Sequence, residues 1–171
     1  TRQAALQAEE ALSPMADPAK AYTVHLVAHA HIDMNWQWPF HETVAVTLET
    51  FRTMLDLMDE DPDFTFAQSQ ASCYRIVEEY EPAMLERIRR RVAEGRWEVS
   101  ASTWVEADKN MPNAESMVRH LLYTKQYLSG LLGLDPATLN LDYEPDTFGH
   151  AWSVPEILQA GGVTRYYHCR G

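Results

Sequence analysis

The sequence predicts an α/β fold, a parallel β/α barrel followed part-way round its circuit. Short apolar strands alternate with helical stretches from about residue 22 onward, which is the signature of successive βα units. The residues suited to chemistry all fall just past the C-terminal ends of those strands, where such folds hold ligands. Five strands are then followed by an abrupt end.

Taken in order, residues 1–20 read as a lead-in segment. Arg2 to Leu12 is rich in Ala and Glu and suits a short helix, stopped by Ser13-Pro14 and Asp17-Pro18. The remainder, 21–171, reads as one unit. Its first strand is expected over 22–29. After a loop holding Trp36, Trp38 and Pro39, apolar residues recur at Val44, Leu48, Phe51, Leu55 and Met58, the steps of an amphipathic helix. A second strand is expected over 63–68. A helical region over 74–94 should break at Pro82 and stop at Gly95. The third strand is placed at 97–102. Asn113 is suited to cap a long helix with Met117, Leu121, Leu128 and Leu131 on its apolar stripe. A fourth strand covers 139–143. Ser153-Val154-Pro155-Glu156 then predicts a capping box opening a helix that stops at Gly161-Gly162, and a fifth strand covers 165–168.

Composition narrows the partners. Among 171 residues, 25 acidic against 14 basic groups give a net charge of −11. Phosphate backbones and anionic lipid repel such a surface, which argues against nucleic acid and membrane partners and suits a neutral ligand such as a sugar. No apolar run approaches the roughly 20 residues of a membrane span. Cys73 and Cys169 form no motif and read as two reduced thiols of a cytoplasmic protein. The N-terminus has no signal pattern and no initiating Met, so the chain reads as cut from a longer one, with export of the parent left open.

The richest stretch is Val27-Ala28-His29-Ala30-His31-Ile32-Asp33-Met34-Asn35-Trp36, directly after the first strand. His31 and Asp33 are two residues apart, so an extended backbone turns both side chains to one face. An imidazole and a carboxylate so placed can hold a metal such as zinc, and Asp146, past the fourth strand, is a third candidate ligand. Each piece also has a plainer reading. His-x-Asp serves as a hydrogen-bonded pair, His29-x-His31 matches the metal motif of amidohydrolase barrels, Asp146 after Pro145 suits a turn, and Trp36 and Trp38 suit packing.

The ordered set is more specific. His31-Ile32-Asp33-Met34-Asn35-Trp36-Gln37-Trp38-Pro39, Phe66-Ala67-Gln68-Ser69-Gln70, Glu94-Gly95-Arg96-Trp97-Glu98, Trp104-Val105-Glu106-Ala107-Asp108 and Pro145-Asp146-Thr147-Phe148-Gly149 follow one another. This resembles the N-terminal catalytic domain of glycoside hydrolase family 38, the zinc-dependent α-mannosidases, from Tyr22 to Gly171, and looks closest to its bacterial branch. The resemblance implies the first part of a seven-stranded barrel, of the kind shared by glycoside hydrolases and deacetylases, with a retaining mannosidase site and one zinc ion. It implies His31 and Asp33 as the first two zinc ligands and Asp146 as both zinc ligand and nucleophile. Trp36 would line the sugar subsite and Asp108 would contact substrate. A fourth, histidine ligand and the general acid would come from beyond residue 171. An α-mannoside or oligosaccharide is then the substrate and the remainder of its own polypeptide the partner, with homo-oligomers left open.

Two alternatives stand beside it. A zinc-dependent polysaccharide deacetylase would need a His-x-x-x-His pair, and none occurs between Glu42 and Gly171. A non-catalytic carbohydrate-binding or purely structural fragment is the other, since half the catalytic set is absent from this sequence.

Overall fold

A computed structural model describes residues 1–171, apart from the side chain of Ala101. The lead-in is helical beyond the expected stop: α1 (Arg2–Leu12) runs through a 3-10 turn (Ser13–Met15) into α2 (Ala16–Lys20), with no buried residue in any of the three. Pro14 and Pro18 fall in the first turns of the turn and of α2, where a missing N–H costs nothing. The βα alternation then follows: β1 (Ala28–His29), α3 (Phe40–Glu60), β2 (Phe66–Gln70), α4 (Ala71–Tyr80), α5 (Met84–Ala93), β3 (Trp97–Thr103), α6 (Ala114–Leu132), β4 (Leu141–Glu144), α7 (Val154–Ala160) and β5 (Arg165–His168).

All strand pairing is parallel, but the described strands form two sheets, β1-β2-β3 and β4-β5, and not one continuous wall. Among the described residues no ladder joins β3 to β4, and the loops after them meet at a single bridge, Lys109 with His150. Side chains cross instead: Ser102 Oγ donates to Asp142 Oδ1 at 2.5 Å, and Thr103 Oγ1 lies 3.5 Å from Glu144 Oε1. The architecture is therefore mixed α/β with parallel sheets.

Three strands are shifted from expectation, the fourth from 139–143 to Leu141–Glu144. The first strand was expected over 22–29, yet pairing begins only at Ala28, opposite Phe66, the first residue of β2. Residues 22–27 face no strand, and Tyr22, Val24, Leu26 and Val27 stand exposed. The second strand starts at Phe66 because the preceding carbonyls are already occupied. The Arg96 guanidinium donates to Met58 O at 2.9 Å and to Phe64 O at 3.0 Å, closing the C-terminus of α3 before β2 begins. Asn113 caps α6 through Ser116 N–H at 2.9 Å, as the sequence predicts. The capping box at Ser153 does not form: its backbone is already helical (φ −80°, ψ −8°), so its side chain does not cap the helix.

The main core lies between β2–β3 and helices α3 to α6. Phe51 meets Trp97 edge-on at 5.0 Å, and Phe66 meets Trp97 at 4.8 Å. Trp97 Nε1 donates to the buried Tyr74 hydroxyl at 2.9 Å, so neither ring leaves a polar atom stranded. A smaller cluster of Leu121, Val154, Leu158 and Val163 holds α7 to α6. Phe51→Ala should therefore destabilise the fold by about 3–5 kcal/mol in urea unfolding. Thiol reagents should distinguish the cysteines as well. Burial pushes the Cys73 thiol up to about 12, whereas Cys169 is exposed. One thiol should titrate in the native protein and two in concentrated urea.

Candidate metal centre

Beyond His29 the chain stays extended without a ladder, and a side chain substitutes for one: Gln70 Nε2, at the end of β2, donates to Ile32 O at 2.7 Å. Ile32 turns into the core at 3% exposure, so its neighbours His31 and Asp33 both turn the other way. Asp33 is also braced from α3. The Thr43 hydroxyl donates to Met34 O at 2.5 Å, lies 3.1 Å from Asp33 O, and accepts from Trp38 Nε1 at 2.9 Å. Trp36 stands edge-on to Trp38 at 5.7 Å and remains 65% exposed, an open aromatic face beside the site. His31, Asp33, Gln37, Trp38, Pro39 and Glu42 line an open cleft of about 460 Å³.

Asp146 reaches the same place from β4. One ligand atom from each of His31, Asp33 and Asp146 lies within 4.8 Å of the others. Two donors each 2.0–2.2 Å from a shared zinc ion can be separated by about 4.4 Å at most, so a small closure would bring all three into range. His31 Nε2 lies 3.2 Å from Asp33 Oδ1 and 3.8 Å from Asp146 Oδ2. On its other side, His31 Nδ1 faces Glu106 Oε2 at 2.7 Å, off the line of an ideal hydrogen bond. Neither atom has another partner among the described residues. Glu106 at Nδ1, against the opposing effect of burial, raises the His31 pKa to about 9.

That arrangement calls for a positive centre at Nε2. With Nδ1 carrying a proton toward Glu106, a neutral ring would point its Nε2 lone pair at two carboxylate oxygens. Either a second proton or a metal ion resolves the repulsion. The N,O,O donor set suits a divalent ion such as zinc and leaves coordination positions open. The second oxygen of Asp146, Oδ1, is held by the Arg170 guanidinium, which donates from Nε and lies within 2.5 Å through Nη2, with its carbon 4.3 Å from the centre of the Phe148 ring.

Other sequence candidates go elsewhere. His29 Nε2 pairs with Ser69 Oγ at 3.0 Å, and burial pushes its pKa down to about 4, so it is a neutral strand residue and does not extend the donor cluster. Asp108 is exposed in the loop after β3, where its carboxylate accepts from Asn110 N–H at 3.0 Å and shapes a turn. It is not among the three converging donors. Two residues earlier, Glu106 does reach the centre. Besides facing His31, its Oε1 accepts from Asp146 N–H at 2.6 Å and lies 3.2 Å from Thr147 Oγ1. Sequence reasoning missed it, although Glu106 follows the end of β3 much as His31 and Asp146 follow β1 and β4.

Beneath the centre lies a buried ion cluster that was also missed. Lys109 Nζ pairs with Asp142 and lies 2.9 Å from Glu144 Oε1, all three side chains being 4% exposed or less. Glu144 also accepts from Thr147 Oγ1 at 2.7 Å. Burial, then the neighbouring Asp142 charge, raises the Glu144 pKa to about 8 against the restraint of Lys109. The available signal was Asp142-x-Glu144 on a strand, two acids on one buried face that need a cation.

The glycosyl hydrolases family 38 N-terminal domain matches residues 21–170. Alpha-mannosidase 2C1 of Homo sapiens is 36% identical over 145 residues, which is 85% of this chain and 14% of that protein. Alpha-mannosidase G of Dictyostelium discoideum is 35% identical over 143 residues, 84% of this chain and 13% of that protein. The crystal structure of an alpha-mannosidase from Enterococcus faecalis V583 superposes with a TM-score of 0.74 at 25% identity, covering 83% of this chain and 16% of that one. The chain thus spans about one-seventh of the length of these relatives.

Removing the buried cation tests the cluster beneath the centre. Lys109→Met should cost about 3–5 kcal/mol near neutral pH, because two buried carboxyls lose their counter-charge. Glu144 binds its proton more tightly folded than unfolded, so the native state holds more protons and stability falls as pH rises. Unfolding curves should show wild-type stability falling as pH rises from 4.5 toward 8, and the Lys109→Met penalty growing as pH passes about 8, where the wild-type Glu144 gives up its proton beside Lys109.

Proposed function

Because the chain belongs to glycoside hydrolase family 38, we propose that it supplies the N-terminal part of the active site of a retaining, zinc-dependent α-mannosidase. The observation that carries this reading is the convergence of His31, Asp33 and Asp146 from two strand ends more than a hundred residues apart in sequence. In this reading the five strands belong to a seven-stranded β/α barrel completed by further chain, and the substrate is a terminal α-mannoside.

His31, Asp33 and Asp146 would hold the zinc ion. When bound, zinc supplies a Lewis-acidic position for sugar hydroxyls and favours an ionised carboxylate beside it. Asp146 acts as nucleophile: its carboxylate oxygen bonds to the anomeric carbon as the glycosidic C–O bond breaks, and the departing oxygen takes a proton from a general acid. Water then hydrolyses the glycosyl-aspartate with inversion at the same carbon, so two inversions give net retention. Retaining enzymes set acid and nucleophile about 5–5.5 Å apart. Asp142 and Glu144 are bound to Lys109 and are assigned no acid role. The general acid, with a fourth ligand, is assigned to chain outside residues 1–171. Trp36 offers an exposed ring for the C–H face of the sugar, and Asp108 a carboxylate for a hydroxyl.

The full-length protein tests these roles on an aryl α-mannoside. Nuclear magnetic resonance should detect α-mannose as the first sugar released, while β-mannose released first would exclude retention. Asp146→Ala should lower turnover by on the order of 10⁴-fold or more and weaken zinc binding. His31→Ala should lose zinc first, with activity partly recovered in excess metal. Near-normal turnover in Asp146→Ala would remove it as nucleophile.

A further inference from the structure

We infer that Glu106 is a positioning residue that sets the His31 tautomer and anchors the Asp146 backbone with the two oxygens of one carboxylate. The inference rests on the metal-dependent reading above. It concerns a residue that touches neither sugar nor metal in that scheme.

The geometry divides the carboxylate cleanly. Oε2 faces His31 Nδ1 at 2.7 Å, and Oε1 accepts from Asp146 N–H at 2.6 Å. A carboxylate accepts and cannot donate, so at 2.7 Å, even off the ideal line, it favours the proton on Nδ1 and leaves Nε2 facing Asp33 and Asp146. The same side chain therefore fixes which nitrogen is presented to an ion and where the Asp146 backbone sits. Glu106 is itself held in place. Its side chain is 5% exposed, and its backbone N–H donates to Gln70 Oε1 at 3.1 Å. Gln70 Nε2 in turn donates to Ile32 O, one residue from both His31 and Asp33. The ends of β1, β2 and β3 and the loop after β4 are thus joined through two side chains, in a region where the backbone ladder has run out.

Glu106→Gln is nearly isosteric but chemically different in one respect. If its amide oxygen keeps the Asp146 N–H, its NH₂ group faces His31 Nδ1. Nδ1 must then accept, which moves the ring proton to Nε2, the nitrogen needed by the ion. If the amide is turned round, NH₂ opposes the Asp146 N–H. One of the two functions is lost either way.

The test uses full-length wild type, Glu106→Gln and Glu106→Asp, with zinc affinity measured by competition with a chelator. Tm of the metal-free proteins, and kcat and KM at saturating zinc, are measured alongside. Glu106→Gln should weaken zinc binding by about 10–100-fold with little change in metal-free Tm. Saturating zinc should restore most of its kcat. Glu106→Asp keeps the charge but shortens the reach, and its zinc affinity should fall between the two. Wild-type zinc affinity in Glu106→Gln would overturn the inference while leaving the mannosidase reading intact. Should Glu106→Gln fail to fold, Glu106→Asp decides: unchanged zinc affinity overturns the inference, and weakened affinity supports it. A wild-type enzyme that binds no zinc would overturn the metal reading and this inference together.

Discussion

Among the described residues no ladder joins β3 to β4, and the backbone meets across that seam at the bridge of Lys109 with His150, where Lys109 N–H donates to Gly149 O at 3.1 Å, so side chains carry much of the geometry of the centre. Lys109 is the main carrier. It leaves the loop after β3, enters the space beneath β4, and meets Asp142 and Glu144, which share one face of that strand because they are two residues apart. An ammonium and two carboxylates away from water are unfavourable singly and tolerable only together. Thr147, next to Asp146, donates from Oγ1 to Glu144 at 2.7 Å and so ties that loop to the cluster. Ser102, Thr103 and Thr147 supply the neutral hydrogen bonds that complete the acids.

Above that cluster the site is assembled from short polar bridges. Thr43 ties the Asp33 loop to the start of α3, Gln70 stands in for the missing ladder beside Ile32, and Glu106 spans from His31 to Asp146. The Gln70 and Glu106 bridges run between segments distant in sequence, the Thr43 bridge within one βα connection, and each is short and partly or wholly buried. Precision at the centre depends on these supports more than on the strands themselves, since β1 contributes only two paired residues.

Local signals carried much of the architecture. β5 occurs at the predicted residues, the helical break near Pro82 separates α4 from α5, Gly95 takes a positive φ of 74°, and Asn113 caps its helix. These features depend on a few neighbouring residues, so a linear reading reaches them. Strand one was too long in prediction because an apolar run becomes a strand only opposite a partner, and β2 offers none to residues 22–27. Ser153 had the right neighbours for a cap but the wrong backbone angles. The donors His31, Asp33 and Asp146 were legible because His-x-Asp and Pro-Asp follow strand ends. Glu106, Gln70 and Lys109 were not, because their partners lie from 33 positions away (Lys109 to Asp142) to more than seventy (Glu106 to His31), and only the fold makes them neighbours.

The two outer strands have a practical consequence for handling the polypeptide. Among the described residues β5 pairs only with β4, and the extended stretch before β1 exposes Tyr22, Val24, Leu26 and Val27. Natural sheet proteins guard such rims with lysine, proline or a bulge, and Tyr22-Thr23-Val24-His25-Leu26-Val27 has neither of those residues. An unpaired apolar rim is a template for adding another strand, whichever chain supplies it. Handled by itself at high concentration, the 171-residue chain presents that rim to its own copies, and the mutual repulsion of a net charge of −11 opposes their pairing.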